Sequence, residues 1–119
     1  MQLNGRGVRV RVYFGERDHV GSGLHQKPLW NALLEYLRRA GAAGATVTRG
    51  VAGYGAHSLI HTATFVDLSA DLPLVLEWVD REEQVEALLP GLSEILEGSG
   101  GLLTTDPVEI RRYEAHRNR

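Results

Sequence analysis

Two apolar stripes at helical spacing, each preceded by an extended run, constrain this 119-residue chain more than any other feature. The first comprises Leu29, Trp30, Leu33, Leu34 and Leu37. It opens at Pro28, which suits a first helical turn where a missing N–H is no loss, and stops at Gly41 after Arg38 and Arg39. The second comprises Val85, Leu88, Leu89, Leu92, Ile95 and Leu96, with Asp80 as the expected cap and Glu82 and Glu83 in the positive first turn. Pro90 lies inside it and removes one helical hydrogen bond. Because the stripe continues in phase on both sides, the expectation is one kinked helix near Glu86–Pro90.

The extended runs are equally plain. Val8, Val10, Val12 and Phe14 alternate with Arg9, Arg11 and Tyr13, so residues 7–14 form a strand with one face on a core. Ala45-Thr46-Val47-Thr48-Arg49 is short and β-branched, and reads as the second strand. Leu72–Val79 is almost wholly apolar, with Glu77 its one charge, as expected near a sheet centre. Leu102–Thr105 and Val108–Tyr113 supply the last strand, interrupted at Asp106-Pro107. Gly15–Gly23 and Gly50–Gly55 are loops, Gly98-Ser99-Gly100-Gly101 ends the second helix, and Glu114–Arg119 is a polar tail. Alternation returns from Ser58 to Leu68, an extended arm of unassigned partner.

The resulting order is βαββαβ with an inserted arm. It predicts an α+β, ferredoxin-like split βαβ: one antiparallel sheet with both helices on one face. Residues 1–119 are read as a single domain with its core over about 7–113. With Val8, Val10, Val12, Val47, Leu74, Leu76 and Trp78 under the helices, the opposite face carries Tyr13, Thr46, Thr48, Val75 and Val79 with Arg9, Arg11 and Glu77. That face is too apolar to be simply solvated, and no helix is left to cover it. Other copies of the chain are therefore expected to do so, most economically in a closed ring.

Composition removes several classes of function. There is no cysteine, hence no disulfide, thiolate chemistry or cysteine-bound metal. A net charge of −2 gives no general attraction to nucleic acid or anionic lipid. No apolar run approaches the ~20 residues of a membrane span, and Met1–Gly7 lacks a signal-peptide core, so no membrane insertion and a cytoplasmic location are expected.

Among local motifs, Gly50–Gly55 has the spacing G-x-x-G-x-G, the reverse of a dinucleotide fingerprint, and no G-K-[ST] follows. Its backbone N–H groups suit an anion, although a plain hairpin connection explains it as well. His57 and His61 are four apart, a helical spacing on an extended segment, which is weak support for a metal. Asp18, His19 and Ser22 hold triad residue types without triad evidence, and Ser58-Leu59-Ile60-His61 is no nucleophile elbow. His19 and His25 read as solvent-exposed loop residues, and Arg111, Arg112 and Arg117 as a solvated basic strand end. Glu77 needs a partner: Arg9 or Arg11 within the sheet, or a ligand hydroxyl at a subunit boundary.

Ala45-Thr46-Val47-Thr48-Arg49-Gly50, Gly53-Tyr54-Gly55, His61-Thr62, Asp71-Leu72-Pro73, Val75-Leu76-Glu77-Trp78-Val79 and Glu83-Gln84-Val85 together resemble the PII signalling superfamily. Tyr13-Phe14-Gly15-Glu16, Lys27-Pro28-Leu29, Arg49–Gly55 and Ile60-His61-Thr62-Ala63 look like its small, uncharacterised PII-like subfamily. The resemblance spans about residues 7–113. It implies a homotrimer, adenine-nucleotide clefts between subunits, and a long flexible loop after the second strand that addresses a protein or transporter partner. Thr46 and Thr48 match the T-V-T strand, Gly55 the loop glycine, and Glu77 and Val79 cleft-lining positions. The family's phosphate-binding run T-G-x-x-G-D-G-K is reduced here to Gly98-Ser99-Gly100-Gly101 without lysine. A monophosphate, a cyclic nucleotide or another small anion therefore fits better than a triphosphate.

The expected ligand-binding set is Thr46, Thr48, Arg49, Gly50, Gly53, Tyr54, Gly55, His61, Glu77, Gly100 and Arg111. Threonines hydrogen-bond the effector, glycines offer N–H groups, Arg49 and Arg111 supply charge, and Tyr54 stacks or meets the partner. No catalytic or metal residue is assigned. The alternatives are a metal-binding trimer of the same fold using His57 and His61, and, further behind, a small enzyme with His61 as base and Glu77 orienting it.

Overall fold

The computed structural model describes residues 4–55, the backbone of 61–62, and residues 71–116. In chain order the elements are β1 (Gly5–Gly15), β2 (His19–Val20), a 3-10 turn (Gly23–His25), β3 (Lys27–Pro28), α1 (Leu29–Arg39) and β4 (Ala45–Arg49). They continue with β5 (Ala52–Gly53), β6 (His61–Thr62), β7 (Pro73–Arg81), α2 (Glu82–Leu96) and β8 (Leu102–Ile110).

The apolar run after Asp71 becomes β7 and takes an inner position. The main sheet has the order β4-β7-β1-β8, and every pairing in it is antiparallel. This is the expected ferredoxin-like arrangement. Two-residue ladders accompany it: β2 with β3, and β5 with β6, where Gly53 stands opposite His61. The rest of the Ser58–Leu68 arm lies outside the described residues.

Side-chain parity places the core. Val10, Val12 and Phe14 of β1 and Leu74, Leu76 and Trp78 of β7 are buried against Leu29, Leu33 and Leu37 of α1 and Val85, Leu88 and Leu92 of α2. Trp30 stays 37% exposed, because the α1 stripe runs through residues four apart and position 30 sits about 100° round the helix. At the end of α1, the N–H of Ala42 reaches the carbonyl of Leu37 and that of Gly41 reaches Arg38, at 2.9 and 3.3 Å. Gly41 has φ +87°, the left-handed geometry that such a C-cap requires.

Three expectations need correction. Asp80 does not cap α2: the cap position is Arg81, with no side-chain cap bond. As an even-numbered β7 residue it faces the helices instead and is 3% exposed. Its Oδ2 accepts from the Trp78 indole N–H at 3.0 Å and the Ala43 N–H at 2.8 Å, and its Oδ1 from the Arg81 N–H at 2.9 Å. The last strand is not interrupted at Asp106-Pro107: β8 runs through it, because an edge strand accommodates a residue without an N–H. Pro28 stands one position before the first turn of α1, at the cap, with φ −59°.

Pro90 does lie inside one continuous helix, Glu82–Leu96. The Tyr36 hydroxyl donates to the Leu88 carbonyl at 2.8 Å, and a Cβ on Gly91 would come within 2.2 Å of that hydroxyl oxygen. The phenol fills the space that any other residue at 91 would need. Gly91→Ala is expected to destabilise the fold by about 1–3 kcal/mol in urea denaturation, an overpacking cost that Tyr36→Phe only partly relieves. Asp80→Ala, which strands the Trp78 and Ala43 donors, is expected to cost a similar amount, about 1–3 kcal/mol.

Candidate functional site

The sheet face away from the helices is laid out in cross-strand rows. Thr46, Glu77, Arg11 and Thr104 form one row, and Thr48, Val75, Tyr13 and Leu102 the next. Val79, Arg9 and Asp106 form a third. Arg11 Nε donates to Glu77 Oε1 at 3.1 Å, so the carboxylate's sheet partner is Arg11 rather than Arg9. Arg9 binds Asp106 with both prongs, at 3.2 and 2.7 Å. This hydrogen bonding holds the Asp106 carboxyl below its usual range, while the bond to Glu77 raises Arg11. Leu102 is 60% exposed on this face. Both helices pack on the other side, so neither covers these rows of apolar surface and neutralised charge.

Beyond these rows, the C-terminal ends of β1 and β4 meet the start of β7. The turn after β1 is fastened by backbone and carboxylates together. Glu16 N–H donates to the Leu72 carbonyl at 2.9 Å, Arg17 N–H to Asp71 Oδ1 at 2.8 Å, and Gly15 N–H to Asp18 Oδ2 at 2.9 Å. From this turn the Glu16 carboxylate forms an ion pair with the Arg49 guanidinium at the end of β4. The Gly50 N–H donates to the Pro73 carbonyl at 2.7 Å. A Cβ on Gly50 or Gly53 would lie 3.0 or 3.1 Å from Pro73 Cγ. Close approach to Pro73, and not a positive φ, is what calls for glycine at these two positions.

The expected site residues are thus partly gathered. Thr46, Thr48 and Glu77 share the face away from the helices, Thr46 directly opposite Glu77, and the Thr48 hydroxyl lies 3.5 Å from the Val75 carbonyl. Arg49, Gly50 and Gly53 stand at the adjoining end, with Tyr54 71% exposed beyond them and Gly55 exposed beside it. The Gly50 amide expected to meet an anion is engaged by Pro73. His61 reaches this region through its backbone ladder with Gly53. Gly100, at φ +77°, belongs to a turn beside the end of β1 but on the far edge of the sheet, ~14 Å away at three strand spacings. Arg111 follows β8 at the opposite end, ~30 Å along that strand, and is exposed. One chain does not bring Arg111 to Thr46.

Sequence reasoning leaves Glu16 in a polar loop, although the run Tyr13-Phe14-Gly15-Glu16 contains it. Only a contact spanning 33 residues gives it a role. Among the described residues no group of three His, Cys, Asp or Glu side chains is placed to hold a metal; His57 lies outside them. A groove of about 810 Å³ lies on the helix side, between the β2–β3 hairpin, α1 and the end of α2, and includes none of the expected site residues. There Lys27 donates to Glu35 at 2.9 Å and holds that carboxyl below its usual range. None of the described helices is long and apolar enough to cross a membrane.

Comparison with solved structures defines the class. CPII from Thiomonas intermedia K12, a nitrogen regulatory PII-like protein bound to ADP, AMP and bicarbonate, superposes with a TM-score of 0.66 at 18% identity, covering 90% of each chain. TTHA0516 from Thermus thermophilus, described as a PII-like signalling protein, superposes at 0.62 with 18% identity, over 92% of this chain and 93% of that one. The fold is therefore that of the PII-like proteins, as the sequence resemblance implies. The chain belongs to the DUF190 family (Uncharacterized ACR), whose model matches residues 7–110. It is 33% identical over 97 residues to UPF0166 protein MJ1524 of Methanocaldococcus jannaschii, covering 82% of this chain and 85% of the relative. A UPF0166 protein of Aquifex aeolicus is 38% identical over 101 residues, covering 85% and 90%.

The depressed Asp106 carboxyl has a pH consequence. Its pairing with Arg9 stabilises the folded chain above the unfolded-state value near about pH 4, and that contribution is lost as pH falls through the lower folded value. Asp106→Asn is expected to be less stable than the wild type at neutral pH. Urea midpoints of the two should converge as pH drops from about 6 to about 2.

Proposed function

We propose that this chain is a PII-like regulatory protein that works as a homotrimer. In this reading it binds a small effector, an adenine nucleotide or another small anion, at the seams between subunits. Occupancy is passed to a protein or transporter partner through the loop that begins at Gly50, and the work is binding rather than turnover, in the cytoplasm. The observation that carries the reading is the half-built site: Thr46, Thr48 and Glu77 lie on the sheet face turned away from both helices, where Arg9 and Arg11 are already paired with Asp106 and Glu77. Arg111 of the same chain is ~30 Å distant, so in this reading it is the Arg111 of a second copy that reaches the seam. Large apolar patches with neutralised charge favour self-association over solvation. CPII, a fold neighbour whose bound ligands are ADP, AMP and bicarbonate, supports the choice of effector.

Light scattering at micromolar concentration is expected to give three times the 13.1 kDa chain mass, and a stable monomer would end the proposal. Calorimetric titration with ATP, ADP, AMP and cyclic AMP, beside divalent metals, then separates the readings. Heat from a nucleotide, weakened about fivefold in Thr46→Ala by loss of one hydrogen bond, supports the regulator. Heat from metals alone points to the metal-binding trimer, and nucleotide turnover abolished in His61→Ala points to the enzyme.

A further inference from the structure

Resting on that reading, we infer that Glu16 is the specificity residue of the site, limiting it to effectors of low negative charge. Exposure distinguishes the two members of the Glu16–Arg49 pair: the guanidinium side chain is 61% exposed and the carboxylate 28%. Arg49 is thus the member free to swing toward a ligand, whereas Glu16 is held by its backbone bond to Leu72 in a turn fastened to Asp71. An effector that recruits Arg49 leaves behind a carboxylate that has lost its cation and repels the incoming negative charge.

Asp18 accepts from the Gly15 N–H and Asp71 from the Arg17 N–H, so both of these carboxylates are engaged within the turn, and Glu16 is the one that meets Arg49. Each added negative charge on a ligand held by Arg49 meets the Glu16 carboxylate. A monophosphate exchanges one pairing of Arg49 for another. A triphosphate brings further charge to the same carboxylate, and the Gly98–Gly101 turn offers it no lysine.

The test compares wild type, Glu16→Gln and Arg49→Gln, each first confirmed to have the wild-type oligomeric mass and melting behaviour, titrated with AMP, ATP and inorganic tripolyphosphate. Glu16→Gln is expected to tighten AMP about threefold and ATP or tripolyphosphate about tenfold, so that the ATP-to-AMP preference rises. Arg49→Gln should weaken AMP. An unchanged preference in Glu16→Gln, or weaker binding of every anion with assembly intact, overturns the inference while leaving the nucleotide reading standing. Tripolyphosphate bound more tightly by Glu16→Gln, with no nucleotide bound by either protein, supports the charge limit and removes the nucleotide. No binding of any of the three anions to Glu16→Gln overturns both.

Discussion

Strand parity in β1 and β7 governs the rest of the molecule. Burying one leucine side chain stabilises the fold by about 1.5–3 kcal/mol, and the inward set of these two strands (Val10, Val12, Phe14, Leu74, Leu76 and Trp78) is buried throughout. A slip of one residue would turn that set to solvent, a loss that no surface ion pair at ~0–1 kcal/mol could offset. The register is therefore set from the core side. Its consequence on the other side is that Arg11 must face Glu77 and Arg9 must face Asp106. These pairs do not hold the fold together. They neutralise charges on a surface whose remaining residues favour burial, which makes the face compatible with another copy.

The same parity explains where sequence reasoning fell short. Period and glycine stops were enough to place both helices, the four main strands and their order, because those signals are local. Asp80 misled because its position before a helix suggests a cap, while its even number in β7 turns it inward to Trp78 and Ala43, the latter a contact 37 residues away. Pro107 suggested a break because neither the edge position of β8 nor the direction of its missing N–H is visible in a single strand's composition. Pro90 was legible as a helical residue because the apolar stripe stayed in phase across it, though nothing local announced that Gly91 lies under Tyr36.

The candidate site was legible in kind and incomplete in place. T-V-T singled out Thr46 and Thr48 as candidates, and the apolar run around Glu77 marked that carboxylate as needing a partner. Register then put Thr46 opposite Glu77, which only the sheet order could decide. Gly100 and Arg111 were grouped with them on resemblance, and a single chain separates both. Glu16 escaped attention because an acidic residue in a polar turn carries no local signal until Arg49 is seen to reach it.

The glycines after β4 illustrate how such a corner acquires its mechanical character. Gly50 and Gly53 wrap Pro73 at near-contact distance, and the Gly50 amide is bonded to that residue's carbonyl. Pro73 itself opens β7, two residues from Val75 and four from Glu77 on the face away from the helices. The loop thus departs from a point anchored to the strand that carries Glu77, and its first turn is tied to the sheet rather than hung from the end of an edge strand. The Gly50–Pro73 hydrogen bond couples the position of β7 to the start of the loop. Tyr54 stands exposed a few residues beyond that anchor, near the end of the described part of the loop.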